Sequence, residues 1–173
     1  MKVIAISGHA QNGKDTLAGM LKEEYELRRK RVLVTHYADL VKYVCRAFFD
    51  WDGQKDEKGR HLLQYVGTDV VRSQNPDYWV NFIIDMLKFF DGLWDYVIIP
   101  DTRFPNELSR LKEEGLDVLH LKVVRPNFIS PLTPEQQKHP SETSLDNVWG
   151  DITVRNTSLQ DMKREVIAIV GNY

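Results

Sequence analysis

Short apolar, β-branched runs recur along the chain at Lys2–Ser7, Arg31–Tyr37, Tyr96–Pro100, Val118–Val124 and Ile152–Val154. Each is the length of a strand and too short for a helix. Between them apolar residues fall at helical spacing. Thr16–Lys30 is the first such stretch, with Leu17, Met20, Leu21 and Leu27 as candidate core positions. Asp39–Phe49, Arg60–Val71, Tyr78–Phe90, Pro105–Glu114 and Ser158–Val170 follow. The polar remainder reads as loops: Gly8–Gly13, the charged stretch Asp50–Gly59, and residues 125–147 with Pro126, Pro131, Pro134 and Pro140. Strands alternating with helices predict an α/β three-layer sandwich around a mainly parallel central sheet. Ligands of such sheets sit beyond the carboxyl ends of the strands. That rule directs attention to residues 8–16, 37–42, 101–107, 125–142 and 155–158, all of them polar.

Composition narrows the picture. At 173 residues the chain predicts one domain, 1–173. With 42% apolar and 28% charged residues, a disordered or low-complexity chain is excluded. The 23 basic and 25 acidic residues leave a net charge of −2, no footprint for polymeric nucleic acid or an anionic membrane. A single cysteine, Cys45, allows no internal disulfide, fits cytosolic conditions and sits in apolar surroundings that point to packing. The first apolar run is too short for a signal peptide. Trp79–Phe90 is broken by Asn81, Asp85 and Lys88, so no membrane span is expected.

The first strand end carries Gly8-His9-Ala10-Gln11-Asn12-Gly13-Lys14-Asp15-Thr16, the spacing of a phosphate-binding loop. Glycines let successive backbone N–H groups curl onto phosphate oxygens, and the helix that follows points its positive end at the same anion. Lys14 adds a point charge for the β- and γ-phosphates. The residue after this lysine is usually Ser or Thr, a magnesium ligand; here it is Asp15, then Thr16. The magnesium side is therefore open between Thr16, Asp15 and a water held by either. A second carboxylate, Asp101, ends the strand Tyr96–Pro100, with Arg103 two residues on. Asp101 either orients magnesium waters beside the loop or caps the helix starting near Pro105. Arg103 either neutralises a phosphate or is a solvated surface residue.

Several spaced motifs together resemble one family, the deoxynucleoside monophosphate kinases found mainly in bacteriophages, a branch of the P-loop nucleotide kinases. These are Gly13-Lys14-Asp15-Thr16, Tyr37 to Lys42, Arg60 to Asp69, Asp77-Tyr78-Trp79-Val80, Asp101-Thr102-Arg103-Phe104-Pro105-Asn106-Glu107 and His139-Pro140-Ser141-Glu142. The resemblance implies transfer of the ATP γ-phosphate to a deoxynucleoside 5′-monophosphate, with Mg²⁺, in the cytoplasm (of a host, if phage-encoded). It also implies a possible homodimer. Catalysis would rest on Lys14, Asp101 and Arg103. ATP would be held by Gly8, Asn12, Gly13, Lys14, Asp15 and Thr16, with Asn156 either bordering adenine or capping the last helix.

The monophosphate site would take Asp39, Arg60, Gln64, Gly67, Thr68, Trp79, Arg103 and Glu107, within a helical region of about 39–92. Arg60 and Gln64 are four apart, so on a helix they share a face. Trp79 either stacks on the base or is core. Gly67-Thr68 is either site or helix break. Glu107 accepts from a ribose hydroxyl, pairs with Arg103 or merely sits in a helical first turn. Residues 125–147 would be a lid, with Arg125, Lys138 and His139 supplying charge. The acceptor phosphate is already anionic, so His9, His36 and His61 are not needed as bases. Two other readings share these features: a kinase of another small phosphorylated acceptor, of the dephospho-coenzyme A or phosphomevalonate type, and a non-catalytic nucleotide-binding regulator.

Overall fold

The computed structural model describes all 173 residues. Five parallel strands, β1 (Lys2–Ser7), β2 (Val32–Val34), β3 (Tyr96–Ile99), β4 (Asp117–Val124) and β5 (Ile152–Arg155), form one sheet in the order β2-β3-β1-β4-β5. The sheet has helices on both faces, which is why its strands read as mainly apolar runs and not as an apolar/polar alternation. Ile4, Ile6 and Ile98 pack against α1 (Lys14–Leu27) and α8 (Leu159–Asn172). Val3, Val97 and Ile99 point the other way, toward α2 (Tyr37–Phe49), α4 (Tyr78–Phe89) and α5 (Pro105–Glu113). Cys45 is fully buried in this second layer, as its surroundings in the chain implied.

Several boundaries differ from the sequence expectation. The strand expected over Arg31–Tyr37 stops at Val34, and Tyr37 opens α2. The cause is tertiary: Asp101 at the end of β3 accepts from the backbone N–H groups of Tyr37 (3.1 Å) and Ala38 (2.9 Å). Leu27 is 74% exposed and not core, because α1 ends there and Arg29 takes a left-handed φ of 61° that turns the chain toward β2. The helix expected over Arg60–Val71 begins earlier, as α3 (Glu57–Gln64), with Asp56 accepting from Gly59 N–H. It then widens into a π-helical stretch, Tyr65–Arg72. Residues 125–147 hold two short helices, α6 (Pro134–Lys138) and α7 (Pro140–Thr143). No helix is long and apolar enough to cross a membrane.

The strand order reverses direction at β1. The chain leaves β1 toward β2 on one side and crosses from β3 over to β4 on the other. Loops leaving β1 and β3 therefore diverge and open a crevice at their carboxyl ends.

Candidate active site

The loop after β1 has a conformation only glycine tolerates at two points. Gly8 has φ 140° and Gly13 φ 100°. A Cβ on Gly8 would lie 2.4 Å from the Val123 carbonyl oxygen, and one on Gly13 2.5 Å from Asn156 Nδ2. Neighbouring strands brace the loop: Asn12 Nδ2 donates to Val123 O (3.3 Å), and Asn156 Nδ2 donates to Asn12 O (2.8 Å). No side chain caps α1, so its first N–H groups and positive dipole end are left for an anion. Lys14 is 8% exposed, and its ammonium donates to the carbonyls of Gly8 (2.6 Å) and His9 (2.9 Å). Burial, then the nearby Arg103, pulls its pKa down to about 8.

Across the crevice, each residue of Arg103-Phe104-Pro105-Asn106-Glu107 has a separate task. Arg103 Nη1 donates to the Ser141 carbonyl (2.7 Å) and to the Glu142 carboxylate. Phe104 lies under the Arg72 guanidinium, 3.7 Å from its ring centre. Pro105 opens α5. Asn106 accepts from Arg72 (2.7 Å) and donates to Pro76 O (3.0 Å) and Asp77 (2.6 Å), tying α5 to the start of α4. Glu107 accepts from the N–H groups of Arg103 (2.7 Å) and Phe104 (3.1 Å) and pairs with Arg72 at 3.4 Å.

Burial pushes Glu107 up to about 7, from an ordinary 4.5, against the pull of those N–H groups and Arg72. A folded pKa above the unfolded one means that the native state holds the extra proton between these values. The stability this contributes is complete below pH 4.5 and is lost as the pH rises toward 7. Glu107→Gln is expected to flatten this part of the stability profile, measured by denaturant unfolding at several pH values. An unchanged slope would show that Glu107 does not cause it.

A cleft joins the two halves. Ala10, Asp101, Arg103 and Glu142 line its phosphate-loop end. Its far wall comes from Val41 and Lys42 of α2, Arg60, Leu63 and Gln64 of α3, and Gly67, Thr68 and Arg72 of the π-helical stretch. Tyr37, Trp79, Phe104 and Glu107 form the deep side, and Leu132, Gln136 and Ser141 reach in from residues 125–147. A widened helical turn is a common feature of functional sites. Here it places Gly67 3.3 Å (to an added Cβ) from Val41 and lets the Gly67 carbonyl accept from Trp79 Nε1 at 2.8 Å.

The cleft thus gathers Asp101, Arg103, Arg60, Gln64, Gly67, Thr68, Trp79 and Glu107; Lys14 is not part of the lining but is near enough to Arg103 for the two charges to repel. Other sequence expectations are corrected. Asp101 caps α2, not the helix at Pro105; it is half-buried, and desolvation raises its pKa. Glu107 pairs with Arg72 and not with the Arg103 side chain. Gly67 and Thr68 lie within a continuous helical stretch, not at a break. Trp79 is 4% exposed and hydrogen-bonded, a core residue whose ring closes the cleft wall. Asp39 lies outside the cleft, paired with Lys42 (2.8 Å) and His36 (3.3 Å); Lys42, one helical turn on, faces the cleft instead. Asn156 does not cap α8, since Ser158 does so; it holds the phosphate loop.

Asp15 is turned toward His36, 3.4 Å away, with its side chain 87% exposed. Arg125 donates to Gln11 O (3.4 Å) and stacks on Phe128, Lys138 is exposed, and His139 bonds Ser141 and approaches Asp69 (3.4 Å); none of the three lines the cleft. Sequence reasoning missed Arg72 and Glu142 as cleft residues, whereas the motif Tyr37 to Lys42 already pointed to Lys42. Arg72 had a signal, being a basic residue directly after the helix expected over Arg60–Val71. Glu142 stood only within a motif.

Comparison with known proteins agrees with this geometry. The family profile described as deoxynucleotide monophosphate kinase matches residues 42–166. The deoxynucleotide monophosphate kinase of Enterobacteria phage T4 is 37% identical over 106 residues, 60% of this chain. That of Escherichia phage RB69 is 31% identical over 114 residues, 64% of this chain. The matched segments span 41% and 44% of those phage proteins, less than half of their length. A protein of Acanthamoeba polyphaga mimivirus, provisionally given the same name, is 26% identical over 200 residues, 99% of this chain and 97% of its own. Among solved structures, the Mycobacterium tuberculosis APS kinase aligns with a TM-score of 0.54 at 11% identity, covering 98% of this chain and 96% of its own. Shikimate kinase from Aquifex aeolicus aligns at 0.53 and 14% identity, covering 98% and 97%. These two likenesses establish the fold. Fold, phosphate loop and profile agree, and the chain belongs to the deoxynucleotide monophosphate kinase family.

Proposed function

We propose that the protein transfers the γ-phosphoryl group of ATP to the phosphate of a deoxynucleoside 5′-monophosphate, releasing ADP and the deoxynucleoside diphosphate. The observation that carries this reading is Arg103, which stands where the phosphate loop meets a cleft lined by Arg60, Gln64, Arg72 and Lys42. A phosphate oxygen of the acceptor attacks the γ-phosphorus in line, and the bond to the β-phosphate oxygen breaks. The nucleophile is anionic at neutral pH, so positioning and charge neutralisation carry the step.

The loop fits a nucleoside triphosphate because its two left-handed glycines let the backbone curl without side chains of their own, and no side chain caps the first turn of α1. Mg²⁺ travelling with ATP needs only one or two protein groups beyond phosphates and waters. Thr16, and Asp101 through water, are the groups assigned to it, and the ion would neutralise charge on the transferring phosphate. The helical region of about 39–92 would hold the monophosphate, and residues 125–147, which reach the cleft through Leu132 and Gln136, would exclude water as a lid. Gln64 and Arg72 would meet the base edge, and the ring of Trp79 its flank. Nucleotides are the proposed partners, and no polymeric nucleic acid or membrane is required.

A coupled assay of ADP release, run against the four common deoxynucleoside monophosphates and, as rivals, dephospho-coenzyme A and phosphomevalonate, tests the reading. Turnover with at least one deoxynucleoside monophosphate, dependent on Mg²⁺, is expected. Turnover restricted to a rival acceptor, or ATP binding with no transfer at all, would replace it.

A further inference from the structure

Glu142 stands at the join of the two nucleotide sites, and nothing in the phosphoryl-transfer scheme above uses it. Its side chain is 5% exposed. One carboxylate oxygen accepts from the Ala10 N–H of the phosphate loop (2.9 Å), and the other accepts from Arg103 Nη1. The same Nη1 donates to the Ser141 carbonyl. One edge of the guanidinium is thus fixed to the turn at 141–142. Its other edge, Nε and Nη2, makes no hydrogen bond to protein, and Arg103 lines the cleft. Arg103 and Lys14 repel each other, Arg103 being the second cause of the lowered Lys14 pKa, and Glu142 opposes that effect.

An acidic residue beside phosphates weakens their binding unless it does something else. Here it holds the second cation in place beside the first and bonds that cation to the loop backbone. A buried carboxylate that accepts two such bonds has little freedom to move.

We propose that Glu142 is a positioning residue for phosphoryl transfer. It clamps Arg103 to Ala10 of the phosphate loop, so that the free edge of the guanidinium is already aimed at the phosphates before they arrive. This role rests on the kinase reading given above. It makes Glu142 act through Arg103, not on the substrates directly.

The test compares wild type, Glu142→Gln, Arg103→Ala and the double variant in the deoxynucleoside monophosphate assay. Glu142→Gln keeps an acceptor for Ala10 but loses the charge that holds Arg103. It is expected to lower kcat about 10- to 100-fold, with KM for either nucleotide changed less than about threefold. The double variant is expected to be no slower than Arg103→Ala alone. Glu142→Asp, one methylene too short to reach both partners, serves if the glutamine variant does not fold. In the free protein the Arg103 Nη–H signals, followed by NMR, are expected to be resolved in wild type, where Nη1 is held, and to broaden or vanish in Glu142→Gln. Independent losses that multiply in the double variant, or wild-type kcat with an unchanged Arg103 signal, overturn the clamp. Wild type without any transfer overturns the kinase reading instead, and the Arg103 signal then decides the clamp by itself.

Discussion

Replacing Lys14 with methionine is expected to lower phosphoryl transfer by about 100- to 1000-fold, while leaving the protein no less stable at neutral pH. The two effects have one origin. The ammonium is buried, and its pKa is pulled from 10.5 to about 8 by that burial and by Arg103. Between these values the unfolded chain carries a proton that the folded chain has released. Stability therefore rises with pH from about 8 to 10.5, and below 8 the fold bears the full cost of burying the charge. Methionine fills the space without that cost. Activity runs the other way: raising the pH through 8 discharges the lysine of the free enzyme, so kcat/KM is expected to fall on the alkaline side. Thermal unfolding and a pH–rate profile of both proteins measure this. A methionine variant within tenfold of wild-type turnover would remove Lys14 from the reaction.

Arg103→Ala is expected to cost about a thousandfold in kcat, comparable with the loss of an arginine that neutralises transition-state charge. Unlike the lysine variant, it is also expected to lower stability. Glu142 would keep a buried carboxylate, 5% exposed, with the Ala10 N–H as its remaining hydrogen-bond donor. Arg103→Lys is expected to recover stability better than rate, because an ammonium can pair with Glu142 but cannot present a second planar edge to a phosphate. Equal recovery of both by lysine would show that only the charge matters.

The contrast between these two residues mirrors what was readable along the chain. Lys14 belongs to a pattern contained in nine consecutive residues, and its surroundings are set by local turns. Strand-end logic found Asp101 and Arg103 for a similar reason. What stayed hidden depends on contacts between distant residues. Asp101 caps α2 from 64 and 63 residues away, which is why the local pattern carries the second strand past its actual end. Asn156 reaches Asn12 across 144 positions, and Glu142 reaches Ala10 across 132. The buried pair Arg72–Glu107 could not be anticipated because an arginine on a helix face and a glutamate in a first helical turn are ordinary surface features until the two helices are packed together. The family motif was legible as a string; its division of labour among Arg103, Phe104, Asn106 and Glu107 was not.

The bracing of the phosphate loop has a thermodynamic consequence. Asn12 and Asn156 tie the loop to β4 and to the segment after β5, and its two left-handed glycines are set before any nucleotide arrives. A triphosphate that docks there does not have to order the loop. Little conformational entropy is surrendered on that side of the molecule, and the electrostatic attraction is converted almost undiminished into affinity. On the proposed reading, ordering on association is left to residues 125–147 and the helical region of about 39–92. Calorimetry should therefore find ATP binding with a small heat-capacity change and the monophosphate with a larger one.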